Sequence, residues 1–244
     1  MRTLSPVAPL GQARELTTSH RLAELSLAYN GGKDCLVLLI LYLCALHRKG
    51  LTEVGGHGRL QSVYIQAPDP FVEVEEFVAQ TAKTYSLDLV EYAKPMKQAF
   101  ADYLQDHPAV KAIFVGTRRT DPHGEFLTHF DPTDHGWPKF MRIHPVIDWH
   151  YADIWTVSGP IYSNIQTLEA DHGFQFLIRL NIPYCVLYDR GYTSLGGIKD
   201  THPNPVLLGQ PSESAEGPED GAEPVYRPAY ELISDFQERL GREK

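Results

Sequence analysis

Short apolar runs alternate with longer amphipathic stretches over the first half of the chain. Leu25–Tyr29 (LSLAY), Leu60–Gln66 (LQSVYIQ), Asp88–Tyr92 and Ala112–Gly116 (AIFVG) predict four strands. Between them, Cys35–His47, Phe71–Tyr85 and Met96–Gln105 predict helices. The first of these is apolar nearly all round, the pattern of a buried helix. Strands alternating with helices imply crossover connections and a parallel sheet. Helices then cover both faces, and ligands sit at the carboxyl ends of the strands. The expected fold class is α/β: one doubly wound, mainly parallel sheet flanked by helices.

After Gly116 the pattern weakens. Residues 117–145 are rich in Pro, Gly, His and charge, and predict a long loop of the functional kind. Asp153–Trp155 and Phe176–Leu180 predict short helices, and Ala229–Arg239 a last helical stretch. Residues 209–224 (GQPSESAEGPEDGAEP) are acidic and poor in apolar groups, which predicts a disordered surface loop.

The first predicted strand runs into Asn30-Gly31-Gly32-Lys33-Asp34-Cys35, directly before the apolar helix. Strand, glycine pair, helix is a phosphate-cradling arrangement. Glycines let the backbone approach an anion, and the first helical turn offers N–H groups and the positive end of the dipole. Lys33 adds a full charge. The spacing is neither that of the Walker loop nor that of the dinucleotide fingerprint. The alternative for Gly31 and Gly32 is a plain turn.

Composition narrows the setting. With 244 residues, the chain is long enough for about 1.6 average domains and needs no disulfide or metal staple. Three cysteines, Cys35, Cys44 and Cys185, lie in apolar surroundings and make no disulfide framework, as in a reducing compartment. No stretch approaches the length of a membrane span, and the N-terminus lacks a signal-peptide core. The net charge of −9 opposes a nucleic-acid partner. It leaves room for small anionic substrates, because a few local arginines reverse the field in a cleft.

The NGGKDC loop is similar to the SGGxDS-type loop of the PP-loop ATP pyrophosphatases. Within them the chain resembles the eukaryotic-type FAD synthases (FMN adenylyltransferases), related in fold to PAPS reductases. The resemblance continues through Gly116-Thr117-Arg118-Arg119-Thr120-Asp121-Pro122, Pro132-Thr133-Asp134, Gly136-Trp137-Pro138 and Arg142-Ile143-His144-Pro145-Val146-Ile147-Asp148-Trp149. It resumes over residues 182–196 (IPYCVLYDRGYTSLG) and ends at Tyr230-Glu231-Leu232 and Glu238-Arg239-Leu240-Gly241-Arg242. These blocks span nearly the whole chain in order, which suggests one such domain over residues 1–244.

The resemblance implies transfer of AMP from ATP to the phosphate of FMN, giving FAD and pyrophosphate. It implies Asn30, Gly31, Gly32 and Lys33 on ATP phosphates. Asp34 faces Mg²⁺ in that reading; otherwise it is a carboxylate at a helix N-terminus. Gln66, with Ala67-Pro68-Asp69-Pro70, either reads the adenine edge or forms a Pro-rich turn capped by Asp69. Gly116 and Arg118 match family positions at the phosphates, and Asp121 a carboxylate of the active site. Asp134 matches a carboxylate that accepts from the flavin N3–H. Trp137 offers flat apolar surface to the flavin, whereas Trp149 and Trp155 suit core packing. Tyr192 is counted among the binding residues. Arg239 and Arg242, on one face if helical, match the family arginines that reach back to phosphate. Their alternative is a cationic helix C-terminus. His144 and Asp148 are not expected to act as a general-acid pair, because a phosphate nucleophile is already ionised at pH 7.

One departure stands out. The family pattern runs from Asp-Ile-Trp almost directly into the Phe-Leu-x-x-Leu-x-Ile-Pro block, whereas residues 157–175 intervene here. This insertion is either a surface loop or an intron retained in frame, which the mature transcript would settle. The expectation is a monofunctional, cytoplasmic enzyme with ATP and FMN as substrates and Mg²⁺ as cofactor. Nucleic acid, membrane and an obligate protein partner are not expected. The alternatives are a non-catalytic flavin- or nucleotide-binding protein and a PAPS reductase-like enzyme. The reductase needs a nucleophilic cysteine near the C-terminus, and no cysteine follows Cys185.

Overall fold

The computed structural model describes residues 22–51, 59–155, 176–209 and 224–243. The insertion expected at 157–175 lies outside the described residues, as does all but the two ends of the acidic loop at 209–224.

Six strands form one sheet: β1 (Leu25–Ala28), β2 (Leu60–Ile65), β3 (Leu87–Tyr92), β4 (Ala112–Phe114), β5 (Phe130–Pro132) and β6 (Met141–Ile143). Their order is β3-β2-β1-β4-β6-β5. All pairs are parallel except β5–β6. The chain winds outward from β1 through β2 to β3, then crosses to β4 on the other side of β1. That reversal is a topological switch point, the place where open α/β sheets bind ligands.

Three helices follow the first three strands: α1 (Lys33–Arg48), α2 (Val72–Thr84) and α3 (Met96–Asp106). Two short ones come later, α4 (Tyr151–Trp155) and α5 (Phe176–Arg179). Helix α1 buries Leu36, Val37, Leu38 and Leu39 completely, at about 1.5–3 kcal/mol for each side chain. It ends in a Schellman-type closure, with Leu51 N–H donating to the Leu46 carbonyl and Gly50 at φ +69°. Cys44, expected to be buried, is exposed on the outer face of this helix.

Alternation along the strands sorts side chains into two cores. Leu25 and Leu27 of β1 face the main core with α1 and α2, and Val63, Phe100, Tyr103, Ile113 and Phe140 form the other. Strands β5 and β6 fall inside the segment expected to be loop; at three residues each they are too short to show a period.

The helix expected over Ala229–Arg239 is replaced by two single turns, Ala229–Glu231 and Asp235–Gln237. Tertiary partners divert the groups a helix would use. Thr193 Oγ1 donates to the Glu238 carbonyl at 2.5 Å, and the Asp235 carboxylate accepts from the Tyr151 N–H at 2.5 Å. Residues beyond them lie back against the 200–202 segment, with Thr201 bridging Arg242.

Candidate active site

The carboxyl ends of β1, β2 and β4 open into a cleft with two lobes of about 340 and 330 Å³. Each lobe is the size of a small-molecule pocket. Asn30, Cys35, Ile65, Val115, Thr117 and Pro122 line both lobes, so they form one continuous space.

The polar lobe is built on the glycine pair. Gly31 sits at φ +72°, and a Cβ there would come within 2.8 Å of Val78 Cγ2 on α2. Only glycine allows both the turn and the close approach. The Asn30 side-chain oxygen accepts from the Gly32 N–H at 3.0 Å and closes the loop on itself. Helix α1 then begins at Lys33, but the Lys33 N–H is already taken by the Tyr188 hydroxyl at 2.8 Å. Burial first, then the Asp34 charge, holds that hydroxyl neutral.

Beneath the loop lies a buried charge network. Lys33, expected on phosphate, is 2% exposed and turned inward, with Nζ 2.9 Å from Asp34 Oδ2 and 2.5 Å from Glu238 Oε1. Arg118 is fully buried. Its Nε lies 2.7 Å from Asp34 Oδ1, Nη2 pairs with Glu238, and Nη1 is 3.5 Å from Asp235 Oδ1. Asp121 accepts from the Arg118 N–H at 2.8 Å, and its other oxygen lies 3.6 Å from the guanidinium. Two cations thus face four carboxylates.

Burial works against every charge here, and pairing decides the outcome. Desolvation raises the Asp34 carboxyl, but the Lys33 and Arg118 charges outweigh it and hold the group below its usual range. Burial lowers Lys33, yet Asp34 and Glu238 more than restore its charge. Asp121 goes the other way, raised by burial and then by the Asp34 charge.

Arg239 lines the polar lobe, with Nη1 3.4 Å from Ser194 Oγ. Arg242 does not share a helical face with it. Its Nη2 lies 3.3 Å from Asp200 Oδ2, and its guanidinium rests behind the lobe wall at Gly196. A Cβ at Gly196 would meet Arg242 Nη2 at 2.2 Å, so that wall is one glycine thick. Asp69 pins the same loop by accepting from the Lys199 N–H at 2.9 Å. Gln66 turns away from the cleft: its amide donates to Glu75 at 2.9 Å while its neighbours Ile65 and Ala67 form the wall. Tyr192 is likewise outside, edge-on to Phe71 at 5.5 Å. Gly116 remains in the lobe, against Cys35.

The second lobe is apolar. Ala28, Val63, Ile65, Phe100, Trp137 and Phe140 are among its lining residues, as is Asp134. Asp134 is held below the usual carboxylate range by a hydrogen bond from His135, whose Nδ1 is 3.0 Å away. Trp137 leans on Phe100 at 6.4 Å. Asp148 pairs with Arg119 at 2.5 Å and does not meet His144, so the two form no acid pair. Trp155 is 1% exposed among Tyr151, Tyr184, Tyr188 and Tyr230.

Glu238 and Asp235 were not singled out from the sequence. Glu238 stands in the Glu-Arg-Leu-Gly-Arg block, where the arginines drew attention. No helix among the described residues is long and apolar enough to cross a membrane.

The profile of the phosphoadenosine phosphosulfate reductase domain family matches residues 24–108, 94–159 and 165–203. A probable FAD synthase of Schizosaccharomyces pombe is 40% identical over 220 residues, covering 90% of this chain and 71% of that protein. A probable FAD synthase of Caenorhabditis elegans is 33% identical over 93% of this chain, which spans only 38% of its length. The FMN adenylyltransferase of Candida glabrata, solved with FMN and the ATP analog AMPCPP, superimposes with a TM-score of 0.74 at 31% identity. That match covers 99% of this chain and 93% of the other. A buried charge network at the switch point, an aromatic lobe beside it and this set of relatives agree: the chain belongs to the phosphoadenosine phosphosulfate reductase domain family and, within it, to the FAD synthases.

Proposed function

We propose that this chain is an FMN adenylyltransferase that joins the AMP part of ATP to the phosphate of FMN and releases pyrophosphate. The observation that carries the reading is the continuity of the two lobes through Asn30, Val115 and Thr117. A phosphate chain over the glycine pair and a planar ring in the aromatic lobe then bring the two phosphates together. The Candida glabrata enzyme has also been solved with FAD and inorganic pyrophosphate, the two products of this reaction.

The chemistry asks for position and charge rather than for a base. An oxygen of the FMN phosphate, ionised at pH 7, attacks the α-phosphorus of ATP. The bond to the β-phosphate breaks and its electrons leave with pyrophosphate. Arg239 lies where it can neutralise the growing charge, and the loop from Asn30 to Gly32 fixes the phosphates.

The donor set fits Mg²⁺. Two cations against four carboxylates leave a negative surplus that repels a triphosphate. Asp34 and Asp121 both open on the polar lobe, and Mg²⁺ takes one or two carboxylates plus phosphate oxygens. Bound there with ATP, the ion would offset that surplus and draw charge from the α-phosphate.

The thiols oppose a reductase. Burial pushes Cys35 up to about 12, with the Asp34 charge adding to it, and burial raises Cys185 as well. A protonated thiol is a poor nucleophile. We assign the enzyme to the reducing cytoplasm on the same cysteine usage, with ATP and FMN as its partners.

The test is to incubate the purified protein with FMN, ATP and Mg²⁺ and to follow FAD and pyrophosphate by chromatography. The two should appear in equal amounts and disappear with EDTA. A folded protein that yields no FAD would overturn the reading.

A further inference from the structure

The apolar lobe holds a polar side chain that the fold does not use. Along β6 and its flanks, Phe140, Arg142 and His144 alternate onto the lobe, while Met141 and Ile143 turn to the main core. His144 is 1% exposed, and neither of its ring nitrogens has a well-aligned hydrogen-bond partner among the described residues, although the Val115 backbone lies within reach of the ring. Buried polar groups are nearly always satisfied, and an orphan costs about 1–3 kcal/mol. This one borders open space shaped for a ligand.

Its surroundings keep it uncharged. Burial, then the Arg142 charge beside it, pushes the imidazole down to about 4. Asp131 on the neighbouring strand and the Val115 backbone act the other way, and His129 adds a small downward effect. A neutral imidazole carries one donor and one acceptor. The polar edge of an isoalloxazine ring offers carbonyl oxygens, a ring nitrogen and one N–H, and so complements both.

We propose that His144 is a positioning residue for the flavin: its ring nitrogens hydrogen-bond the polar edge of the isoalloxazine and set which way the ring lies in the lobe. The orientation matters because it aims the ribityl phosphate at the polar lobe. This rests on FMN being the acceptor substrate.

The experiment compares wild type, His144→Leu and His144→Gln. His144→Leu should raise KM for FMN about tenfold. It should lower kcat severalfold, because the phosphate is aimed less well, leave KM for ATP within about twofold, and not lower the thermal midpoint. His144→Gln keeps a donor and an acceptor and should restore most of the FMN affinity. The absorption band of bound FMN should shift in His144→Leu and not in His144→Gln. A folded His144→Leu with wild-type KM for FMN and an unchanged band would overturn the proposal.

If His144→Leu does not fold, ¹⁵N spectra of histidine-labelled wild type decide instead, with His144→Gln supplying the assignment. Both ring nitrogens should move on adding FMN, and still resonances would overturn the role. Wild-type turnover separates the two claims. An active wild type matched by His144→Leu removes only the His144 role, whereas a folded wild type that binds no FMN removes the FMN reading itself.

Discussion

The two lobes of the cleft are neighbours built on different principles. The apolar lobe comes from strand alternation: Ala28, Val63, Ile65, Phe140 and His144 reach it because every second residue faces that side. The polar lobe has no such period. Its network joins Lys33 and Asp34 to Arg118 and Asp121, and both to Asp235 and Glu238, three segments far apart in the chain. Repetitive geometry builds a surface for a ring, whereas fixing charges under a phosphate loop needs individually placed partners.

The sharpest way to break the contrast is to remove one partner from the network. Glu238→Leu leaves Lys33 and Arg118 buried without their shared carboxylate, a change of the kind that costs about 3–5 kcal/mol. Denaturant unfolding should show that loss, and FAD formation should fall with it. Among the described residues, the Arg239 side chain hydrogen-bonds Ser194 Oγ alone, at 3.4 Å. Arg239→Ala should therefore leave stability nearly unchanged while kcat drops roughly 10²–10³-fold, the usual range for losing a charge-stabilising donor. A variant that unfolds instead would make Arg239 structural.

Acid titration should separate the lobes. His144 stands near 4 when folded against an ordinary 6.5, so between those values the unfolded chain binds the proton more readily. Stability should fall as pH drops from about 6.5 to about 4, by at most roughly 3 kcal/mol. His144→Gln should flatten that limb. Asp34 is held below its ordinary 3.8, so its contribution is present above that value and is lost only at lower pH. An unfolding curve with one limb rather than two would contradict the separation. The smallest effect belongs to Trp137→Ala, which removes one wall of the apolar lobe. It should raise KM for FMN by about tenfold and leave KM for ATP alone.

How much of this was legible follows from the same contrast. The first three strands and helices carry clear periods, and their boundaries differ from the structure by at most two residues. The glycine loop is marked by its local chemistry and Asp134 by family resemblance; the structure puts Asn30 and Gly32 on the polar lobe and Asp134 and Trp137 on the apolar one. The inward turn of Lys33 could not, because its direction is set by Glu238, 205 residues away. The helix expected over Ala229–Arg239 fails for a related reason: Thr193, Tyr151 and Arg118 take the groups that a helix or solvent would otherwise hold. Gln66 is expected from its place at the end of the second strand; its side chain turns to Glu75 while its neighbours Ile65 and Ala67 line the lobe, and the Tyr192 ring packs edge-on against Phe71.

That 205-residue separation has a consequence for synthesis. A ribosome adding about 5–20 residues each second needs roughly 10–40 s after Lys33 before it reaches Glu238. Until then the nascent chain carries a lysine and an arginine destined for burial without the carboxylate that bridges them. The first loop of the polar lobe to be made is thus among the last parts to become electrically complete, and a ribosome that stalls before Glu238 leaves Lys33 and Arg118 without the carboxylate they share.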